Sequence, residues 1–366
     1  MQKYFMSYLC IMIRDKLVFI LLLPFSLIYG FVVSIRNVLY ARGILKSISF
    51  DIPIISLGNL SVGGAGKSPH IEYLITFLKP HIKLATLSRG YRRKTSGFLS
   101  VTPYMTADQS GDEPLQFKRK YPDVEVAVSE SRVLGVPKLL GSQPDIQTVL
   151  LDDAFQHRSI KPGMNILLTE YSKPYFADFV MPSGRLREWP SGASRADIII
   201  VTKCPNSITE EQRDDFIEKL SIDAHQRVYF TRYIYGSPYY MYNGSQRLQL
   251  SEDHNVILVS AIAGTDYLNR YLEEQVNFVH PLSFEDHHDF SKHEVAQFKR
   301  VYDNMDLQKK YILTTEKDAI RLDKHREFLL KERLPIFVLP LKVQFLFDKE
   351  EAFQSQIKQF LLDFKV

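Results

Sequence analysis

The segment from Gly58 to Ser68, G-N-L-S-V-G-G-A-G-K-S, carries the residue types that bind phosphate. Ser61, Val62, Gly63, Gly64, Ala65 and Gly66 are small or compact enough for backbone N–H groups to point into one concavity, and a helix beginning there adds positive potential. Lys67 is placed to reach the β- and γ-phosphates of a nucleotide, and Ser68 to ligate Mg2+. The strict pattern G-x-x-x-x-G-K-[ST] wants Gly at position 61, where this chain has Ser; Gly63 supplies flexibility two residues later. Pro69 fits, because the first helical turn has N–H groups with no partner inside the helix. An ordinary glycine-rich turn is the plain alternative, and the strand-like run before the segment and the helical spacing after it weigh against that.

Two acidic pairs accompany the loop. Thr148 to Leu151 is an apolar run ending in Asp152 and Asp153, the layout that delivers a carboxylate to the Mg2+ beside a phosphate loop. The run continues A-F-Q-H-R, which places His157 and Arg158 at the carboxyl end of a sheet, where open α/β folds bind ligands. The second pair, Asp112 and Glu113 in G-D-E-P, reads as a loop whose backbone is set by Gly111 and Pro114. One of its carboxylates suits a metal and the other suits a proton from an attacking hydroxyl, while a solvent-facing turn is the bland alternative. Arg185 and Arg187, in P-S-G-R-L-R-E, suit bidentate binding of a substrate phosphate or an exposed salt-bridged loop. His280, His287, His288 and His293 are not at helical metal-ligand spacing and have no accompanying cysteine, so one catalytic histidine among surface residues is expected rather than a zinc site. Lys317 and Asp318 read as a surface pair at a strand end.

The elements needed to hold these residues are visible as short apolar runs. They occur at Ile48 to Gly58, Leu84 to Leu87, Val124 to Val128, Thr148 to Leu151, Met164 to Leu168 and Ile198 to Val201, with gaps long enough for crossover helices. This is the pattern of an α/β fold, a mainly parallel sheet with helices on both faces. Tyr-rich sequence from Val228 to Leu250 reads as a hairpin and linker. Three more strand-like runs beyond it, V-I-L-V-S, Y-I-L-T-T and P-I-F-V-L-P, predict a second, smaller α/β lobe. The expected divisions are therefore 1–46 for a membrane-associating helical segment, 47–227 for the nucleotide-binding core, 228–250 for the linker and 251–366 for the smaller lobe.

Composition narrows the class. The 366 residues are 45% hydrophobic and 24% charged, as in a folded globular protein. A net charge of +4 suits anionic ligands but falls short of a dedicated nucleic-acid binder. Cys10 and Cys204 are far apart and predict neither a disulfide nor a thiolate metal site, which fits a reducing compartment. Leu17 to Ile35 contains no charge and is bracketed by Arg14, Lys16 and Arg36, just reaching spanning length, with no small-residue cleavage site following. Pro24, Ser26 and Gly30 interrupt it, and cations lie on both sides, so shallow interfacial insertion is favoured over a true span.

Taken together, the loop, L-S-R-G-Y at Leu87 to Tyr91, G-D-E-P, D-D-A-F-Q-H-R, P-S-G-R-L-R-E and T-T-E-K-D at Thr314 to Asp318 resemble the tetraacyldisaccharide 4'-kinase family over most of the chain. The resemblance implies a P-loop NTPase-like fold and transfer of the γ-phosphate of ATP to the 4'-hydroxyl of a tetraacyldisaccharide 1-phosphate, giving lipid IV-A in lipid A biosynthesis. It implies ATP and Mg2+ as cofactors, inner-membrane lipid as surroundings and a place on the cytoplasmic face of the bacterial inner membrane, peripheral or monotopic through the N-terminal helix. No nucleic acid and no obligate protein partner are expected. Carried over residue by residue, Lys67 and Ser68 serve phosphate and Mg2+, and Glu113 and Asp152 support the metal. Asp112 accepts the proton, paired with a histidine of the D-H motif, His287 with His288 in reserve. Asp153, His157, Arg185 and Arg187 face the substrate. The chain departs from the family at Ser68, where Thr is common, and at Ala154, where Gly is common. The rival is a membrane-associated P-loop switch or metal-delivery NTPase; its guanine-reading element is not matched, since Thr202-Lys203-Cys204-Pro205 lacks the Asp.

Overall fold

The computed structural model describes residues 2–262 and 264–364, with backbone alone at 2–16 and 266; the side chain of Cys10 lies outside the described set. The chain forms two compact units that interleave in sequence. The first comprises 1–67, 145–232 and 345–366, and the second 68–144 and 233–344. The divisions read from the sequence are consecutive, whereas the chain passes back and forth between these units, first between Lys67 and Ser68 at the end of the phosphate-binding segment.

The first unit is built on five parallel strands in the order Arg227–Tyr235, Ile198–Thr202, Met164–Glu170, Ile54–Asn59 and Thr148–Asp152. Ile54–Asn59, Thr148–Asp152 and Ile198–Thr202 are buried at every position, which is why they read as continuous apolar runs rather than alternating ones. Leu60, Phe155, Leu167, Leu186, Ile199, Phe216 and Phe230 form the core beside them. The strand expected from Ile48 begins at Ile54, with only an isolated bridge from Ile48 to Ile160 before it.

A helix from Gln2 to Ala41 belongs to this unit and contains Pro24. Its stretch Leu17–Ala41 is long and apolar enough to cross a membrane, and little of it is buried. One face is fixed by the protein. Ser26 donates to Ser183 at 2.8 Å, the Tyr29 hydroxyl donates to the Arg187 carbonyl at 2.8 Å, and Gly30 lies so close to Trp189 that a Cβ would overlap the indole. The other faces expose Leu17, Ile20, Leu21, Phe25, Ile28 and Phe31, with Leu21 72% accessible. A water-facing helix of this composition would carry a large unfavourable apolar surface, which is consistent with membrane association.

The second unit holds two groups of strands. Leu84–Ser88 and Glu125–Val128 pair in parallel, with Leu99–Ser100 antiparallel on the edge. The other has six strands in the order Asn243–Arg247, Tyr239–Tyr240, Ile336–Leu339, Lys310–Thr315, Asn255–Ser260 and Phe278–Ser283. The last four of these strands are parallel, and the hairpin Tyr239–Arg247 closes one edge. The hairpin expected across 228–250 is thus confined to its second half, because Arg227–Tyr235 continues the parallel ladder of the first unit. Phe278–Ser283 was not legible as a strand. It contains Pro281, which lacks a ladder donor and is tolerated only because this is an edge.

Candidate active site

The phosphate loop in the first unit is braced from two directions. Ser61 bridges antiparallel to Leu186, with Val62 N–H donating to the Arg185 carbonyl at 2.7 Å and Arg187 N–H to the Leu60 carbonyl at 2.7 Å. On the other side the Thr202 hydroxyl donates to the Ala65 carbonyl at 3.0 Å. Gly63 and Gly66 have φ of 105° and 90°, the region open to glycine, and a Cβ at Gly63 would meet nothing within 4 Å. Val62, Gly63 and Gly64 are exposed. The loop therefore leaves the backbone of Val62, Gly63 and Gly64 accessible to solvent.

Lys67 donates to Asn59 Oδ1 at 3.0 Å and lies 3.8 Å from Asp153 Oδ1. Arg187 spans the same place, donating to Asp153 at 2.9 and 3.2 Å and to Asn59 Oδ1 at 2.5 Å. Two cations beside an open glycine loop fit a polyphosphate, with Asp153 holding them in place. Arg185 is engaged elsewhere, by a 2.9 Å ion pair to Asp178. Asp152 is buried at the end of its strand. The left-handed residue of the D-D-A-F turn is Asp153 at φ 48°, and Ala154 is not among the residues of positive φ, so the methyl at a position where Gly is common meets no backbone penalty. Ser68 is half-buried on the helix Lys67–Leu78. Among the described residues no three His, Cys, Asp or Glu side chains form a cation cage. Mg2+ at nucleotide sites typically takes one or two protein oxygens and completes its shell with phosphate and water, and a carboxylate such as Asp152 is a donor of that kind.

The second unit assembles a different cluster. Asp112 and Glu113 open the helix Asp112–Lys120, which corrects the expectation of a loop. Gly111 at φ 91° turns the chain into the helix, and Pro114 sits in the first turn, where no intrahelical donor is lost. His287 Nδ1 is 3.2 Å from Asp112 Oδ2, whereas His288 Nε2 turns to Glu294 Oε1 at 2.9 Å. The histidine paired with Asp112 is therefore His287, itself at φ 60° with its ring edge-on to Tyr91.

Three residues that sequence reading placed on the surface or overlooked complete this cluster. Arg321 is 4% exposed and contacts Asp112 Oδ2 through Nε at 2.7 Å and Nη2 at 2.6 Å. Asp318 is fully buried. It ties down the same guanidinium at 3.0 Å and accepts from the Ala261 N–H at 3.1 Å and the Thr315 hydroxyl at 2.7 Å. Lys317 lies 2.8 Å from Glu113 and 3.1 Å from His287 Nε2. The expectation of a surface pair fails because residues 316–322 form a helix. On it Lys317, Asp318 and Arg321 share one face by their i, i+3 and i, i+4 spacing, a signal present in E-K-D-A-I-R.

Lys317 Nζ lies 3.1 Å from His287 Nε2, and Arg321 Nη2 and Asp112 Oδ2 both lie 3.2 Å from Nδ1. The His287 and Arg321 contacts converge on Asp112 Oδ2, and Oδ1 accepts no hydrogen bond among the described residues. Burial pushes the Asp112 carboxyl up, but the His287 hydrogen bond and the Arg321 charge outweigh it and leave the group below its ordinary value. Glu113 follows the same pattern, with Lys317 offsetting burial. Behind them Lys120 bridges Glu72 at 2.7 Å and Glu316 at 2.6 Å. Burial first, and the second carboxylate next, raise Glu72 to about 7 while Lys120 is held charged.

An open phosphate loop with paired cations, and an anionic carboxylate oriented by histidine and arginine, define an α/β phosphotransferase of the P-loop type. A family model described as tetraacyldisaccharide-1-P 4'-kinase matches residues 18–362. The chain belongs to that family. Curated tetraacyldisaccharide 4'-kinases of Phocaeicola vulgatus and Bacteroides thetaiotaomicron are 41% and 42% identical, covering 93% and 92% of this chain and 94% and 91% of theirs. Among solved structures, the Aquifex aeolicus LpxK, described as an apo form in complex with ATP, superposes with a TM-score of 0.69 at 28% identity, covering 93% of this chain and 98% of its own.

Proposed function

We propose that the protein transfers the γ-phosphate of ATP to the 4'-hydroxyl of a tetraacyldisaccharide 1-phosphate, giving lipid IV-A, at the cytoplasmic face of the inner membrane. Family membership carries the activity, and the His287–Asp112 contact carries the assignment of the base. Phosphoryl transfer asks little covalent chemistry of a protein; it needs charge neutralised on the phosphates and an oriented nucleophile. The glycine loop and Lys67 answer the first need, with Arg187 held beside them by Asp153. Asp152, at the end of its strand, would hold Mg2+, which when bound supplies positive charge to the phosphate oxygens. Asp112 answers the second need. Its Oδ2 is locked by His287 and Arg321, so Oδ1 is the oxygen that takes the proton of the sugar hydroxyl. Arg321 is a positioning residue in this reading, and His287 holds Asp112 from the side of its Nδ1.

The N-terminal helix supports a peripheral or monotopic placement, because one face is committed to the segment Phe179–Trp189 and the rest is apolar. The direct test is transfer of labelled γ-phosphate from ATP to a detergent-dispersed acylated disaccharide 1-phosphate by the parent, Asp112→Ala and Lys67→Ala proteins. Labelled lipid from the parent alone is expected. Acceptor-independent ATP hydrolysis with no labelled lipid would overturn the reading.

A further inference from the structure

Three helices of the second unit meet at one ammonium group. They are the helix that leaves the phosphate loop, which belongs to this unit from Ser68 onward, the helix Asp112–Lys120 and the helix Glu316–Leu322. We propose that Lys120, shared between Glu72 and Glu316, is a positioning residue that sets where Asp112 stands relative to the helix leaving the phosphate loop. The proposal rests on the reading of Asp112 as the base.

Geometry is the first argument. Asp112 and Glu113, in the first turn of their helix, meet Arg321 and Lys317 of the helix Glu316–Leu322. In the last turn of the same helix, Lys120 meets Glu316, the first residue of its neighbour, at 2.6 Å. The two helices therefore run antiparallel and are clasped at both ends. Releasing the Lys120 end frees one helix to tilt on the other, and a tilt moves the Asp112 carboxylate with it. The same ammonium also reaches the third helix, where it lies 2.7 Å from Glu72, one turn beyond Ser68. Gln116 Nε2 donates to the other Glu72 oxygen at 2.7 Å, and the Leu341 N–H donates to the other Glu316 oxygen at 3.4 Å. Every carboxylate oxygen around Lys120 thus has a donor, which defines one place for the ammonium.

Energetics is the second. The carboxylates of Glu72 and Glu316 are almost wholly removed from water, and withdrawing charges from water offsets much of their mutual attraction. As a source of stability alone, such a bridge has little advantage over apolar side chains of the same volume. What it adds is direction, because charge-assisted hydrogen bonds hold their partners at short, fixed separations. Burial pulls the Lys120 ammonium down, but Glu72 and Glu316 outweigh it and hold the group charged. The clasp therefore stays ionic at the place where the three helices meet.

The test is a double-mutant cycle on transfer of labelled γ-phosphate from ATP to a detergent-dispersed acylated disaccharide 1-phosphate. It compares the parent, Lys120→Met, Lys120→Arg, Asp112→Asn and the Asp112→Asn/Lys120→Met double variant, each assayed well below its own melting temperature. Lys120→Met is expected to lower kcat by on the order of 10- to 100-fold, with KM for ATP and for the lipid near the parental values. Lys120→Arg should recover most of that loss, since it restores a cation between the two carboxylates. In the Asp112→Asn background the Lys120→Met change should add little, because the group it positions is already gone. Losses that multiply in the double variant would overturn the proposal, since Lys120 would then act without Asp112. So would a Lys120→Met protein with parental kcat and a lowered melting temperature, the result of a bridge that only stabilises. If Lys120→Met does not fold, Glu316→Gln, which removes a charge and keeps an acceptor, goes through the same cycle and is judged by the same outcomes. A parent that phosphorylates no lipid sinks the kinase reading, and an Asp112→Asn protein as fast as the parent sinks the base. The proposal falls with either, and those two rates alone tell such a failure from its own.

Discussion

The two functional regions of this protein are built on opposite plans. The phosphate loop is one continuous segment, Gly58 to Ser68, that works through its backbone and two cations. The acceptor-base cluster draws Asp112 and Glu113, His287, and Lys317 with Arg321 from three distant parts of the second unit and works entirely through side chains. A loop of the first kind tolerates Ser at position 61, because backbone donors do not depend on side-chain identity. A cluster of the second kind depends on each partner, because His287 and Arg321 offset the burial that pushes the Asp112 carboxyl up.

That contrast can be broken by substitution. The largest effect is expected from Asp112→Asn, which keeps the shape but removes the base; phosphate transfer should fall by about 10²- to 10⁴-fold in kcat with ATP binding retained. Unchanged kcat would remove the side-chain cluster from the chemistry altogether. Lys67→Ala should lower transfer by about 10²- to 10³-fold and weaken ATP binding too, since it removes a phosphate cation. Leu21→Asp combined with Ile28→Asp should move the protein from membrane to supernatant by on the order of 10²-fold, because each exposed side chain forgoes lipid burial. Partition like that of the parent would separate the first unit's helix from membrane attachment.

Arg321→Gln sharpens the comparison at a smaller scale. With the guanidinium gone the Asp112 carboxyl rises, so the acidic limb of kcat moves to higher pH, and activity at the low-pH end falls roughly tenfold for each pH unit the limb travels. Arg321→Lys should hold the limb near its parental position. A limb that does not move in the Gln variant reduces Arg321 to a packing role. The smallest effect concerns Glu72, whose folded value of about 7 lies above the ordinary 4.5. A carboxyl raised by folding stabilises the fold while protonated, and that contribution is lost as pH rises through about 7. The parent should therefore lose a few degrees of melting temperature across that window, on the order of 1 kcal/mol, and Glu72→Gln should lose less. Equal loss in both would show that the Lys120 bridge keeps Glu72 ionised throughout.

The buried parallel strands, the phosphate loop, the carboxylates at the end of Thr148–Asp152 and the apolar helix were all legible from local sequence. Each is specified by neighbouring residues: continuous apolar runs for strands buried on both faces, glycines for the loop, and uncharged length for the helix. What the sequence left open is where side chains meet across long separations. G-D-E-P reads as a loop, but it opens a helix that packs against the helix Glu316–Leu322. His287 and His288 are adjacent and chemically alike; only the left-handed backbone at His287 aims one at Asp112 while its neighbour faces Glu294. Asp318 and Arg321 look like surface charges because most such residues are, and burial turned them into the support of the base. Local sequence determines which elements form and which chemical groups are present, since propensity, periodicity and turn chemistry act over a few residues. Tertiary structure alone decided which carboxylate oxygen is locked and which is left open, because that depends on donors more than 100 positions away in the chain.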